Sequence, residues 1–110
     1  MVTEKQLQKR LRKMVELAAK RLTKAASGKP EKLAEYLEDV CDVEISIGAD
    51  LKYRCAKVQL AFGGPNIYFD TATGKVEGGW GFSINARVWV DDSVGEAVDD
   101  YYEDYYECCR

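Results

Sequence analysis

Residues 43–62 read Val43-Glu44-Ile45-Ser46-Ile47-Gly48-Ala49-Asp50-Leu51-Lys52-Tyr53-Arg54-Cys55-Ala56-Lys57-Val58-Gln59-Leu60-Ala61-Phe62, and they decide the fold class. Val43, Ile45 and Ile47 alternate with Glu44 and Ser46. That two-residue period places the apolar side chains on one face of a strand that ends at Gly48. A longer strand follows, with Ala56, Val58, Leu60 and Phe62 on one face. Tyr53, Cys55, Lys57, Gln59 and Ala61 take the other, more polar face.

Downstream, Gly63-Gly64-Pro65-Asn66 has the composition of a turn. Residues 67–70 form a short strand, and Thr71-Ala72-Thr73-Gly74 folds it back onto residues 75–80. Gly78, Gly79 and Gly81 around Trp80 imply a bulge or bend. Residues 83–90 are the last strand, with Ile84, Ala86, Val88 and Val90 facing one way and Arg87 and Trp89 the other.

Upstream the period is 3.6. Leu7, Leu11, Met14, Val15, Ala18 and Leu22 recur at steps of three and four, the mark of one helix face, and Thr3 with Gln6 fits a capping box. Ser27-Gly28 stops this helix with a left-handed turn, and Pro30 opens a second helix running to residue 41, with Leu33, Leu37, Val40 and Cys41 on its apolar side. At the far end, Ser93 with Glu96 forms another capping box. It opens a helix whose buried stripe is Val94, Ala97, Val98, Tyr101, Tyr105 and Cys108. The expected fold is therefore α+β: two N-terminal helices, an antiparallel meander of four to five strands, and one C-terminal helix. It is expected as one domain, divided into a basic helix over 1–28, a second helix over 30–41, the sheet over 43–90 and an acidic helix over 93–108. A hinge at residues 27–29 would let the basic helix detach.

Charge is split along the chain. Residues 1–32 hold ten basic and three acidic side chains, net +7; residues 33–110 hold six and sixteen, net −10, and the whole is −3. Such separation governs partner choice and encounter rate, not fold. The N-terminus lacks the continuous apolar stretch of a secretory signal, so a cytoplasmic protein with no membrane association is expected.

Catalysis is poorly provided for. The chain has no histidine, the usual acid–base group near neutral pH. Asp91-Asp92 and Asp99-Asp100 are consecutive and do not converge on one substrate atom. The Gly63-Gly64-Pro65-Asn66 loop loses a donor at Pro65 and leads into a strand, not the helix N-terminus that a phosphate cradle needs. Cys41, Cys55, Cys108 and Cys109 lack the paired spacing of a metal site and read as reduced thiols. Residues 70–74 lack the acidic spacing of a calcium loop. No enzyme activity, metal or cofactor is expected.

Two charged faces remain. Lys9, Arg10, Arg12, Lys13, Lys20, Arg21 and Lys24 spread over the side of the first helix opposite its leucines, a surface able to touch phosphates. On the last helix Glu96, Asp99, Asp100, Glu103 and Glu107 follow i, i+3, i+4, i+7, i+11 along one ridge, with Asp92 before them. Carboxylates four apart lie about 6 Å apart along the axis, close to the repeat of phosphates on a nucleic-acid strand. No lysine or arginine relieves their repulsion between Arg87 and Arg110. Tyr102 and Tyr106 fall off the buried stripe and add flat amphipathic surface to it.

The stretch Gly63-Gly64-Pro65-Asn66-Ile67-Tyr68-Phe69-Asp70-Thr71, with Val76-Glu77-Gly78-Gly79-Trp80-Gly81, resembles small proteins carried by bacterial mobile elements and phages. In size, acidity and lack of catalytic residues the chain also resembles the anti-CRISPR group of phage inhibitors. That resemblance is one of type and carries over no functional residue. It implies blockade of a CRISPR effector nuclease, with carboxylates occupying a basic nucleic-acid channel. The expectation is a non-enzymatic inhibitor or interaction protein that meets a basic protein surface through Asp92, Glu96, Asp99, Asp100, Tyr102, Glu103, Tyr106 and Glu107. The alternative is a nucleic-acid-binding or regulatory protein using Lys9, Arg12, Lys13, Lys20 and Lys24.

Overall fold

The structure is a computed structural model that describes residues 3–80 and 84–109. Its order is α1 (Glu4–Ser27), α2 (Pro30–Glu38), β1 (Asp42–Ile47), β2 (Tyr53–Ala61), β3 (Asn66–Asp70), β4 (Lys75–Trp80), β5 (Ile84–Trp89) and α3 (Asp92–Cys109). The five strands form one antiparallel sheet in the order β1-β2-β3-β4-β5, so the protein is α+β with a meander sheet, as its periodicities require. The expectations placed on Gly81, Ser83 and the side chain of Ile84 lie outside the described residues.

One row of side chains crosses every strand. Val43 pairs with Val58, Val58 with Phe69, Phe69 with Val76, and Val76 with Val88. These five residues point to the helical side, where Leu11, Val15, Ala19 and Leu22 of α1, Leu33 and Leu37 of α2, and Val94, Val98 and Tyr102 of α3 complete the core. The opposite face carries Glu44, Lys57, Asp70 and Lys75 in one cross-strand row, and Glu77 opposite Arg87 in the next. Opposite charges alternate along these rows, so the open face largely neutralises itself.

The helix ends hold both agreement and correction. Thr3 and Gln6 exchange both capping-box hydrogen bonds. Gly28 ends α1 with φ −87°, an extended residue and not the left-handed turn expected there. Helix α2 stops at Glu38 rather than 41, because the Cys41 N–H donates to the Gln59 carbonyl and the chain is already joining the sheet.

Three further expectations are overturned inside the sheet and on α1. A register shift between Ser46 and Ile47 sets Tyr53 opposite Ile47, which takes Tyr53 off the polar face and packs it against the core. Phe62 is 78% exposed because β2 ends at Ala61, before it. Met14 of α1 is also exposed, and Ala19 takes a buried place in that stripe instead.

Gly78 sits in regular register with Ile67 and Ala86, so no bulge is built there. Its role is close approach. A Cβ at this position would lie 2.8 Å from Val15 Cγ2 and 3.0 Å from Ile67 Cγ1. The missing side chain is what lets α1 lie directly on β4. Gly78→Ala is therefore expected to cost about 1–3 kcal/mol by overpacking, read as a lower urea midpoint with an unchanged slope.

Candidate functional site

Helix α3 is positioned by a cap that the sequence reading misplaced. Its first turn is held by Asp91, whose carboxylate accepts from the Ser93 N–H at 3.0 Å while its carbonyl accepts from the Val94 N–H at 2.9 Å. Ser93 therefore lies inside the helix and is not its cap. The hydrogen bonds from the Ser93 backbone and side chain hold the Asp91 carboxyl below the ordinary carboxylate range.

The buried stripe of α3 is Val94, Val98 and Tyr102, a run of i, i+4, i+8. Tyr102 is 3% exposed, so it belongs to the core and not to a binding surface, while Tyr105 and Cys108, expected inside, are exposed. Burial, with the neighbouring Tyr101 and Tyr105, pushes the Tyr102 hydroxyl up to about 12.

Two hydroxyls tie α3 to the β1–β2 hairpin. Tyr53 donates to Asp99 Oδ1 at 2.6 Å, and Tyr106 donates to the Leu51 carbonyl at 2.7 Å. Asp99 is thereby half-buried and committed internally, and Tyr106 serves as an anchor. Burial first, then the bond to Asp99, raises Tyr53 well above its ordinary 10.0. The folded protein keeps that proton where the unfolded chain releases it, so stability is retained below pH 10 and declines as pH rises above it. Tyr53→Phe is expected to destabilise the protein by about 1–2 kcal/mol at neutral pH, as the loss of a partly exposed bond to a charged group. The variant should also show a shallower alkaline decline in denaturant titrations.

The carboxylates of Glu96, Asp100, Glu103 and Asp104 are available. Glu96, Asp100, Glu103 and Asp104 are exposed, as are Asp92 and Glu107. Among the described residues the ion pairs are Arg12–Glu16 and Lys32–Glu35, each within one helix, so Glu96, Asp100, Glu103 and Asp104 are not consumed by the basic helix. The last turn of α3 holds no basic residue. The negative end of the helix dipole therefore adds to the carboxylates around it. Lys9, Lys13, Lys20 and Lys24 are likewise exposed along α1, and Arg12 pairs with Glu16.

Beside this ridge runs a groove of about 560 Å³, absent from the sequence reading. Helices α2 and α3 both pack on α1 and scarcely touch each other. Leu33 and Ala34 line one wall; Ala97, Tyr101 and Tyr105 line the other, with Asp100 and Asp104 among them. Its signal was present in the chain, since Ala97, Tyr101, Tyr105 and Cys108 recur at i, i+4, i+8, i+11. The expected stripe joins that run to Val94 and Val98; the structure keeps Val94 and Val98 fully buried and adds Tyr102 in place of the run.

No family model, curated protein or solved structure matches the chain. Among the described residues there is no group of three or more His, Cys, Asp or Glu placed to hold a metal, and no helix long and apolar enough to cross a membrane.

Proposed function

We propose that this protein is a non-enzymatic binding protein whose α3 helix occupies a basic surface on a protein partner, a surface of the kind that otherwise holds nucleic acid. The observation that supports this reading is that Glu96, Asp100, Glu103 and Asp104 stand exposed on one helix with, among the described residues, no cation paired to them. Repulsion among carboxylates three and four apart costs an isolated helix a few tenths of a kcal/mol per pair. A cationic partner relieves that cost on binding and is steered in by the one-signed field. The resemblance in type to phage inhibitors makes a CRISPR effector nuclease the first partner to test.

A second reading, a nucleic-acid contact through α1, draws support from Arg21, Lys24 and Lys32, which line a shared cleft between α1 and α2. One experiment separates the two readings. Capture from host lysate with the wild-type chain and with a Glu96→Lys/Asp100→Lys/Glu103→Lys variant, followed by mass spectrometry and nuclease treatment, should give a protein captured by the wild type alone. Retention of the same partner by the variant would reject the α3 reading. Capture that disappears on nuclease treatment would favour α1.

A further inference from the structure

The groove between α2 and α3 points to a more specific partner than a basic surface at large. We propose that it is a docking site for a basic amphipathic helix of the partner protein, whose apolar side chains lie between Ala34 and Tyr105 while its lysines or arginines meet Asp100 and Asp104. The inference rests on the reading that α3 is the binding element and adds the form its ligand takes.

Three observations converge on it. First, α3 carries two apolar stripes and the fold covers only one of them fully, leaving Ala97 and Tyr101 of the second half-buried and its far end open. Val94, Val98 and Tyr102 face the core, whereas Tyr105 is 52% exposed and Cys108 is exposed as well. A second apolar stripe on a helix is the pattern of a face that packs against another helix. Second, the dimensions suit a helix. From Ala97 to Cys108 the groove wall runs about 16 Å at a rise of 1.5 Å per residue, three turns of a parallel or antiparallel guest. Third, the charge is one-signed on the α3 side. Asp100 and Asp104 lie on successive turns beside the tyrosines, so a guest with bases flanking its apolar face meets a carboxylate on each turn. Tyr101 and Tyr105 supply rigid, amphipathic anchors of the kind that dominate interface energetics.

The test uses two fluorescently labelled synthetic peptides of one composition, leucine and lysine only. One has leucines at i, i+3, i+4 and i+7; the other is scrambled and has no apolar face. Fluorescence anisotropy against the full chain at physiological salt should show the patterned peptide binding about tenfold or more tighter. Ala34→Trp, which fills the groove, and Tyr105→Ala, which removes an exposed part of the wall together with one edge contact to the Tyr102 ring, should each weaken the patterned peptide about tenfold. Neither should alter the scrambled one.

Equal affinity for the two peptides, or no effect of either variant, would overturn the groove while leaving the acidic-helix reading intact. Failure of both peptides to bind, together with a charge-reversed variant that still captures its partner, would remove both. A concentration-dependent dimer that Ala34→Trp dissociates would overturn the proposal in favour of a second copy of the chain as occupant. Binding of the patterned peptide that survives reversal of Glu96 and Glu103 but not Ala34→Trp supports the groove on its own.

Discussion

Phe69→Ala is expected to cost about 3–5 kcal/mol, the range for deleting a buried aromatic ring. Phe69 is fully buried in the middle strand, one residue before its end. It pairs with Val58 on one side and Val76 on the other, and its ring lies close to Gly95 of α3. Its ring therefore joins the sheet to the candidate binding helix, and neither neighbour can collapse into the space without breaking strand register. Domains of this size are stable by only about 5–15 kcal/mol, so the loss takes a large share of the total. Urea unfolding followed by far-ultraviolet circular dichroism should show the midpoint falling sharply. A change below about 1 kcal/mol would mean that the ring is not the keystone its place in the cross-strand row implies.

The triple reversal Glu96→Lys/Asp100→Lys/Glu103→Lys should weaken partner binding about a hundredfold, with most of the loss in the association rate at low salt. It should do so without unfolding the protein. The new lysines at 96, 100 and 103 would stand four residues from Asp92, Asp104 and Glu107 respectively, and the one at 103 also four from Asp99. Those four repulsive pairs become attractive ones worth a few tenths of a kcal/mol each, while the pairs 96/100 and 100/103 stay like-charged with the sign reversed. Unchanged or slightly raised thermal stability alongside lost affinity would separate surface charge from fold. The wild-type interaction should also weaken as salt rises, because exposed charges are screened over about 8–10 Å at physiological ionic strength. Salt-insensitive binding would argue that the carboxylates are bystanders.

The sheet was legible because its signals agree at every level. Alternation from Val43, the turn residues 63–66 and 71–74, and the return of alternation at Ala86 each point to the same meander. Every described strand lies within about two residues of where periodicity puts it. The site was harder for a physical reason. Tyr101, Tyr102, Tyr105 and Tyr106 are chemically alike, so two stripes one residue apart have nearly equal claim to the core. The choice is made by tertiary packing against β2 and α1, which no local pattern encodes. Tyr53 changed face because one extra residue in β2 shifts its register, and a single shift inverts every side chain beyond it. Asp99 was misread as part of the free ridge for the same reason, since its partner hydroxyl was expected on the other side of the sheet. Asp104 went unnoticed because it stands off the ridge, on the groove side.

The placement of α1 has a consequence for biogenesis. This helix meets the sheet chiefly at β4 and β5, the last strands of the meander, with Val15 against Gly78. On the ribosome its apolar surface emerges before its seat, with some sixty residues between the end of α1 and the end of β5. The ten cations that residues 1–32 carry give that segment a like charge that opposes association during the interval.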